Sequence, residues 1–497
     1  MNVKEVAVCP AASFDKPIND MKKIILVVSA LALLMSCAEK NPVLEIEGGK
    51  VQGVESSAPG VIVYKGIPFA APPVGDLRWK KPQPVKPWEG VLTADTFGHP
   101  AVQTPHTPGG YTPEFFFDGD PEFSEDCLYL NVWTPAAGKP AKKLPVTLWI
   151  HGGGYTAGWG FEPEMDGEEW AKHGVVLVTF NYRLGIFGFF THPALSAESP
   201  HHVSGNYGML DQIAALKWVK NNIAAFGGDP DNITIMGQSA GAMSVQTLIT
   251  SPLSKDLISG AIIQSGGGVT DAPALGGAPL ADSEAAGQAL MDWAGYDTLE
   301  KMRAASTEDI FGLANRYRQE TGQFVRVGSS PVVDGYAYPE TFPQAARAGR
   351  ISNVPYMIGS TLDDMGVLAG GIDTFCFLRE DAGKDAFAYQ FARRLPTDGR
   401  QGVLQGAFHS SELWYMFKSL RFCWRPFTAG DYDLAEQMIT CWTNFSKYGS
   451  PNKPGDNTWT PFTRENPKYM VFKLDENDKV ASGMGDRIVA EPLGRPF

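Results

Sequence analysis

The sequence predicts an α/β fold in which helices cover both faces of a mostly parallel central sheet. Apolar runs typical of buried strands recur along the chain: Val146–Ile150, Val175–Phe180, Ile233–Met236 and Ala261–Gln264. Between the second and third runs, residues Asp211–Phe226 follow a helical pattern. Strands that alternate with helices are typical of parallel sheets, because a parallel crossover returns the chain through a helix.

One large domain accounts for the chain better than several. Its 497 residues would by length alone suggest about three domains. However, no linker, low-complexity segment or repeat divides the sequence, and the candidate catalytic residues below extend from position 239 to position 409. We therefore predict a single domain over residues 37–497, with the stretches 100–123 and 270–350 forming insertions around a pocket.

A nucleophile elbow is predicted at Gly237–Gly241, whose sequence is Gly-Gln-Ser-Ala-Gly. It follows the strand-like run Ile233–Met236, and a helix can form over Ala240–Leu248. A serine on such a sharp turn has a strained backbone that holds its hydroxyl above the edge of the sheet. The flanking glycines suit the position because strand and helix approach too closely there for side chains. Ser239 is therefore the predicted nucleophile.

A serine hydroxyl needs a base to accept its proton, and His409 is the predicted base. In α/β-hydrolases the chain order is serine, then an acid, then histidine. The chain has eight histidines, and only His409 follows Ser239. It lies in a stretch of small residues that is typical of a loop.

The acid that orients this histidine is predicted at Asp363 or Asp364. Both aspartates follow the strand-like run Val354–Ile358. A carboxylate just beyond the C-terminal end of a strand is where sheets of this type place their site residues. We favour Asp364, and we expect the other aspartate to cap a helix or to face water.

Backbone donors for a developing oxyanion are predicted next to the serine. The segment His151–Gly154 (His-Gly-Gly-Gly) follows a predicted strand and matches the oxyanion loop of esterases and lipases. Glycines let several N–H groups converge on one point without an intervening Cβ. We assign the donors to Gly153, Gly154 and Ala240, and we expect His151 to be structural.

With these residues in place, the chain from about Pro42 onward resembles the type-B carboxylesterases, the family that also contains the cholinesterases. Besides the elbow and the oxyanion loop, the resemblance rests on these segments: Tyr64–Ala70, Pro72–Gly75, Leu77-Arg78, Ser124–Asn131, Asn181–Arg183, Gly205–Gly208 and Phe226–Pro230. It implies an α/β-hydrolase fold and esterase activity, with Ser239 as nucleophile, His409 as base and an acid at Asp364.

Three positions depart from that family's pattern. Asp364 stands where the family most often has glutamate, so its reach is shorter. Gln238 stands where glutamate is common, which removes a negative charge and disfavours a cationic, choline-like substrate. Cys127 usually has an upstream disulfide partner, but no cysteine lies between Cys37 and Cys127. Packing must hold that loop, or its shape differs.

Composition limits the possible partners. A net charge of −13 and a pI near 5.2 argue against nucleic acid. The sequence shows no basic stripe, no metal-ligand spacing among cysteines and histidines, and no phosphate-binding glycine loop. We predict neither a metal nor another cofactor, and the sequence does not specify an oligomeric state.

The N-terminus predicts a bacterial lipoprotein signal. Two lysines precede the apolar run Ile24–Met35, which is too short to span a bilayer but suits a secretory signal peptide. The run ends in Leu34–Cys37, which resembles a lipobox. We predict a signal peptide over residues 21–36, lipidation of Cys37, and a location in the bacterial cell envelope, in the periplasm or at the outer membrane. A soluble signal peptide is the alternative. Met21 is a natural start for the signal, so we expect residues 1–20 to be an extension that is absent from the mature product or is not translated.

The sequence predicts a serine hydrolase that cleaves a small-molecule or saccharide-linked carboxylic ester. A non-catalytic binding module and an amide or peptide hydrolase with the same triad stay open as alternatives. Two further questions stay open: whether Cys423 and Cys441 pair or remain free, and whether certain aromatic residues line a pocket or belong to the core. These are Phe115, Phe116, Phe117, Tyr155, Trp159, Trp414, Tyr415 and Phe417.

Overall fold

The computed structural model describes residues 41–270, 277–322, 327–328 and 330–489. Within these ranges, the chain from Val43 onward forms one compact unit. The predicted extension 1–20, the signal peptide 21–36 and Cys37 lie outside the described residues.

Across the described residues the chain forms fifteen strands. Strands β1–β15 are, in order, Val43–Ile46, Gly49–Glu55, Ile62–Pro68, Val91–Ala94, Tyr129–Thr134, Leu144–Ile150, Val176–Phe180, Gly228–Gln238, Gly260–Gln264, Ala278–Pro279, Val332–Val333, Tyr356–Thr361, Ala386–Phe391, Tyr469–Phe472 and Gly483–Gly485.

Thirteen of these strands form one sheet in the order β1-β2-β3-β5-β7-β6-β8-β9-β12-β13-β14-β15, with β4 beside β2. All pairings from β7 through β14 are parallel. The strands from β1 to β7 and the final pair β14–β15 run antiparallel along the main path. The prediction of a mostly parallel α/β sheet is therefore confirmed.

Fifteen α-helices surround the sheet in the described ranges. Helices α1–α15 are Thr112–Phe115, Glu168–Lys172, Gly185–Phe189, Pro193–Glu198, Tyr207–Asn222, Ala240–Thr250, Leu280–Trp293, Leu299–Ala304, Thr307–Phe311, Leu313–Thr321, Phe342–Arg347, Gly366–Ala369, Ile372–Asp381, Leu413–Met416 and Ala429–Tyr448. Short 3₁₀ helices occupy Gly75–Leu77, Pro140–Lys142, Pro163–Met165, Ile223–Phe226, Lys255–Leu257 and Leu420–Phe422. None of the described helices is long and apolar enough to cross a membrane.

Helix α5 begins earlier than the sequence pattern predicts. It starts at Tyr207 rather than Asp211, and it gives way to a 3₁₀ turn at Ile223. Asp211 is fully buried, and its carboxylate binds the Arg183 guanidinium at 2.8 and 2.7 Å. A helix buried on nearly all sides has little amphipathic periodicity to mark its first turn.

The sheet separates two apolar layers. Alternate residues of a strand point to opposite faces, so Leu148 packs with α5 and α6 while Trp149 packs with α14 and α15. The middle strands are consequently buried on both faces, as parallel sheets require. Their carboxyl ends share one edge, where β6, β8 and β12 lead directly into the candidate site.

Candidate active site

Ser239 occupies a strained turn between β8 and α6. Its backbone has φ 57° and ψ −126°, a conformation that non-glycine residues rarely adopt. A Cβ on Gly241 would lie 2.0 Å from the Ile150 carbonyl oxygen, and one on Gly237 would lie 2.4 Å from the Gly241 backbone. Only glycine fits at either flank. The strand and the helix of the elbow therefore approach each other as closely as the sequence predicts.

The structure brings Asp364 and His409 together. Asp364 Oδ1 accepts a hydrogen bond from His409 Nδ1 at 2.8 Å, and it also accepts from the Met365 N–H at 2.8 Å. The Asp364 side chain is 1% exposed and that of His409 is 9% exposed. A hydrogen bond of this kind fixes the proton of a neutral imidazole on Nδ1 and leaves Nε2 as an acceptor.

Asp363 neither caps a helix nor faces water, contrary to the prediction. Its Oδ2 accepts from the Ala407 N–H at 2.8 Å, while its own N–H donates to the Ala407 carbonyl at 3.0 Å. Asp363 and Phe408 also form an isolated parallel bridge. Asp363 thus fixes the loop that carries His409, and its side chain is only 7% exposed.

Gln238 contacts the imidazole that the sequence predicts as the base. Its Nε2 lies 3.2 Å from His409 Nε2 and 3.4 Å from Nδ1, and the residue is 2% exposed. The Ser239 side chain, which is partly exposed, forms no hydrogen bond with another described residue. The amide nitrogen is nearly equidistant from the two ring nitrogens, so it lies over the face of the imidazole and not along the in-plane lone pair of Nε2.

The predicted oxyanion loop lies against the elbow. A Cβ on Gly152 would be 3.1 Å from Ser239 Cβ, which places the loop next to the serine. Gly153 and Gly154 have positive φ angles of 90° and 63°. The N–H groups of Gly153, Gly154 and Ala240 donate to no other residue that the structure describes. Unpartnered N–H groups beside a serine are suited to binding an oxyanion.

His151 is buried beneath this loop. Its ring stacks on Tyr182 at 4.4 Å, and Nδ1 lies 3.0 Å from the Gly152 carbonyl. Burial lowers the pKa of His151 to about 4, so the ring is neutral at pH 7. These contacts are those of a residue that supports the loop.

A second carboxyl group, Glu412, is buried close to Asp364. Both Glu412 oxygens are inaccessible to solvent and have no hydrogen-bond partner among the described residues. Burial, together with the charge of Asp364, raises the pKa of Glu412 to about 8. Glu412 is therefore protonated at pH 7, which avoids a second negative charge beside Asp364.

A small cleft adjoins the elbow helix α6. Its walls come from α6, from the loop after β9 and from the predicted insertion 270–350. The lining includes Tyr155, Met243, Gln246, Tyr338 and Phe342. The other insertion, 100–123, approaches the His409 loop through an isolated bridge between Gly110 and Val403 and a ring contact between Tyr111 and Phe408.

Most of the candidate pocket aromatics belong to the core. Trp414, Tyr415 and Phe417 are 0% exposed and pack in the layer against α15. Phe115 and Trp159 are also buried, whereas Phe117 is 40% exposed. Of this set, Tyr155 lines the cleft.

The four cysteines that the structure describes, Cys127, Cys376, Cys423 and Cys441, are free thiols. Cys423 and Cys441 therefore do not pair. Burial raises the pKa of each of these two thiols to about 12. Within the described ranges, no group of histidine, cysteine or carboxylate side chains is arranged to hold a metal ion.

Comparison with known proteins places the chain in a family. The sequence profile of the carboxylesterase family matches residues 40–377 and 369–488. The chain belongs to this family. Family membership and the esterase names of its relatives make it a carboxylic-ester hydrolase.

Several named esterases are similar in sequence to this carboxylesterase. It is 33% identical to the fumonisin B1 esterase of Sphingopyxis macrogoltabida, over 92% of this chain and 91% of that protein. It is 40% identical to the para-nitrobenzyl esterase of Bacillus subtilis strain 168, over 65% of this chain and 63% of that protein. Pig (Sus scrofa) liver carboxylesterase is 38% identical over 66% of this chain and 59% of its own length.

Solved structures agree with this assignment. A PNB esterase superposes with a TM-score of 0.72 at 28% identity, covering 89% of this chain and 97% of its own. A Geobacillus stearothermophilus carboxylesterase superposes with a TM-score of 0.70 at 30% identity, with the same coverage. The fold of this carboxylesterase is therefore the α/β-hydrolase fold.

Two buried residues near the site are absent from the sequence prediction. Glu412 lies three positions after His409, and no pattern in the sequence marks it as buried. Gln103 lies in an Ala-Val-Gln stretch and carries no recognisable motif.

Proposed function

We propose that this carboxylesterase acts through an acyl-enzyme intermediate on Ser239, with His409 as base and Asp364 as its orienting acid. The observation that carries the proposal is the 2.8 Å bond between Asp364 and His409, formed beside a strained serine elbow. Convergence of these groups from three separate loops is the arrangement that a serine hydrolase needs.

In the proposed reaction, Ser239 Oγ attacks the ester carbonyl while its proton passes to His409 Nε2. The hydrogen bond from Ser239 Oγ to Nε2 forms at this stage, since catalytic hydrogen bonds commonly tighten only when substrate is bound. The oxyanion of the tetrahedral intermediate accepts from the N–H groups of Gly153, Gly154 and Ala240. His409 then donates its proton to the leaving alcohol, and water releases the acid by the reverse sequence.

We propose a neutral small-molecule or saccharide-linked ester as the substrate. Gln238 places an uncharged amide where a carboxylate would attract a cationic alcohol, and the cleft beside α6 presents tyrosine, methionine and phenylalanine side chains. Relatives named for a fumonisin and for a para-nitrobenzyl ester support a small organic ester.

Labelling with a fluorophosphonate probe tests the nucleophile. The parent protein should become labelled on Ser239, and Ser239→Ala should not react, because the probe bonds only to an activated serine. Ser265→Ala is a matched control: Ser265 also follows a parallel strand with a positive φ of 50°, but it is fully buried. Label on Ser239→Ala, or none on the parent, would contradict the proposal.

Comparing the hydrolysis rates of p-nitrophenyl esters and of the matching anilides then separates esterase from amidase activity.

We also propose that the mature protein is a lipoprotein of the bacterial cell envelope, anchored through Cys37. The support is the sequence signal alone, namely Lys22-Lys23, a short apolar run and a lipobox-like end. Intact-mass analysis of protein from a bacterial host should show a chain that begins at Cys37 with attached acyl groups. Cys37→Ala should lack that mass, and an unlipidated parent would refute the anchor.

A further inference from the structure

The side chain of Gln103 is bonded to the turn that follows the oxyanion loop. Gln103 comes from the insertion 100–123 and is 2% exposed. Its Oε1 accepts from the Gly158 N–H at 2.8 Å, and its Nε2 donates to the Gly158 carbonyl at 3.2 Å. Nε2 also donates to the Ala101 carbonyl at 3.1 Å. Three bonds to backbone give the carboxamide a single orientation.

The Ala157–Gly158 peptide packs directly against the oxyanion glycines. A Cβ on Gly153 would lie 2.1 Å from the Ala157 carbonyl oxygen. A Cβ on Gly158, whose φ is +99°, would lie 2.8 Å from His151 Nδ1 and 3.2 Å from the Gly152 carbonyl oxygen. Because these backbones touch without intervening side chains, a shift of Gly158 moves Gly152 and Gly153 with it.

The next residues of the same turn are held by other buried side chains. The Trp159 N–H donates to Glu162 Oε1 at 2.9 Å, and the Gly160 N–H donates to Asn181 Oδ1 at 2.8 Å. Among side chains of the described residues, only that of Gln103 forms a hydrogen bond with Gly158. The Thr156 and Ala157 N–H groups each donate to the Gly153 carbonyl at 3.0 Å, which holds the start of the turn. Gln103 supplies the side-chain hydrogen bonds that hold its end at Gly158.

We propose that Gln103 is a positioning residue that holds the Gly153 and Gly154 N–H groups in the orientation that binds the oxyanion. This inference rests on the proposed function. Loss of one oxyanion donor typically lowers turnover by about 10²–10³ fold, and a small misplacement of reacting groups has an effect of about 10² fold. Displacing the loop while its N–H donors remain should therefore lower turnover by less than deleting a donor.

Gln103→Met tests the proposal because methionine keeps the length of the side chain but forms neither bond to Gly158. We expect kcat for a p-nitrophenyl ester to fall by about 10–100 fold, with KM within threefold of the parent. Affinity for a trifluoromethyl ketone, whose serine adduct carries an oxyanion, should fall by a similar factor. A purely structural role would lower thermal stability without this selective loss.

Gln390→Met is the matched control. Gln390 is 1% exposed and makes the same paired contacts with a backbone, donating to the Ile488 carbonyl at 2.9 Å and accepting from its N–H at 2.8 Å. Its kcat and its ketone affinity should stay within twofold of the parent.

If Gln103→Met does not fold, Gln103→Leu takes its place, since leucine is also apolar and forms neither hydrogen bond to Gly158, so the same fall in kcat and in ketone affinity is expected. A parent-like kcat and ketone affinity in a folded variant at position 103 would overturn the inference. A parent protein without Ser239-dependent hydrolysis would instead refute the proposed function, so the two failures are distinguishable.

Discussion

Asp364→Asn is expected to lower kcat by about 10⁴ fold while KM changes little. The Asp364 carboxylate accepts the Nδ1 proton of His409 at 2.8 Å. An amide at this position can present its own N–H to Nδ1, which shifts the imidazole proton to Nε2. The lone pair that must accept the serine proton is then lost. Steady-state hydrolysis of p-nitrophenyl acetate measures the effect.

Asp363→Asn is the control for this prediction. An asparagine oxygen can still accept from the Ala407 N–H, so the loop that carries His409 keeps its main contact. We expect a loss of less than about tenfold in kcat, because the substitution removes only the ion pair between Asp363 and the half-exposed Arg394 at 3.6 Å. If the Asp363 variant lost more activity than the Asp364 variant, the assignment of the acid would be reversed.

Glu412→Gln is expected to stabilise the protein increasingly as the pH rises from about 4.5 to about 8. Glutamate ionises near its ordinary pKa of 4.5 in the unfolded chain, whereas burial raises the pKa to about 8 in the folded state. Below pH 4.5 the carboxyl is protonated in both states. Between the two pKa values only the unfolded chain releases the proton, so the free energy of unfolding of the parent falls as pH rises.

Glutamine removes this pH dependence because it stays neutral in both states. The gain over the parent should grow to as much as about 5 kcal/mol at pH 8. Urea unfolding at pH 5, 6.5 and 8 measures the difference. Glu89→Gln, a change at an exposed glutamate, should leave the pH profile of the parent unchanged. A constant difference between Glu412→Gln and parent across these pH values would contradict the prediction.

The strands that form the floor of the site were predictable because parallel strands buried on both faces are continuous apolar runs. Val146–Ile150 and Ile233–Met236 both lie within observed strands, β6 and β8. The elbow was predictable for a different reason: a turn this tight accepts only glycine at Gly237 and Gly241, so its geometry is visible in the residue types.

The parts that the sequence did not reveal depend on contacts between distant segments. Asp363 and Ala407 pair across the molecule, and no local pattern marks either residue as a partner. Gln103 and Gly158 are likewise far apart in the sequence, and no local pattern predicts their hydrogen bond. Trp414 and Tyr415 were ambiguous because aromatic residues line pockets and fill cores equally well, and only the packing against α15 distinguishes the two.

The free thiols bear on how the protein matures. Cys127 is buried and free, and no second cysteine lines the small cavity that it borders in the described part of the chain. At the four cysteine positions that the structure describes, no oxidation step separates the nascent chain from its native form. Folding at these positions is therefore independent of disulfide-forming enzymes, and a reducing cytosol is a suitable environment for producing the enzyme for the kinetic and unfolding experiments above.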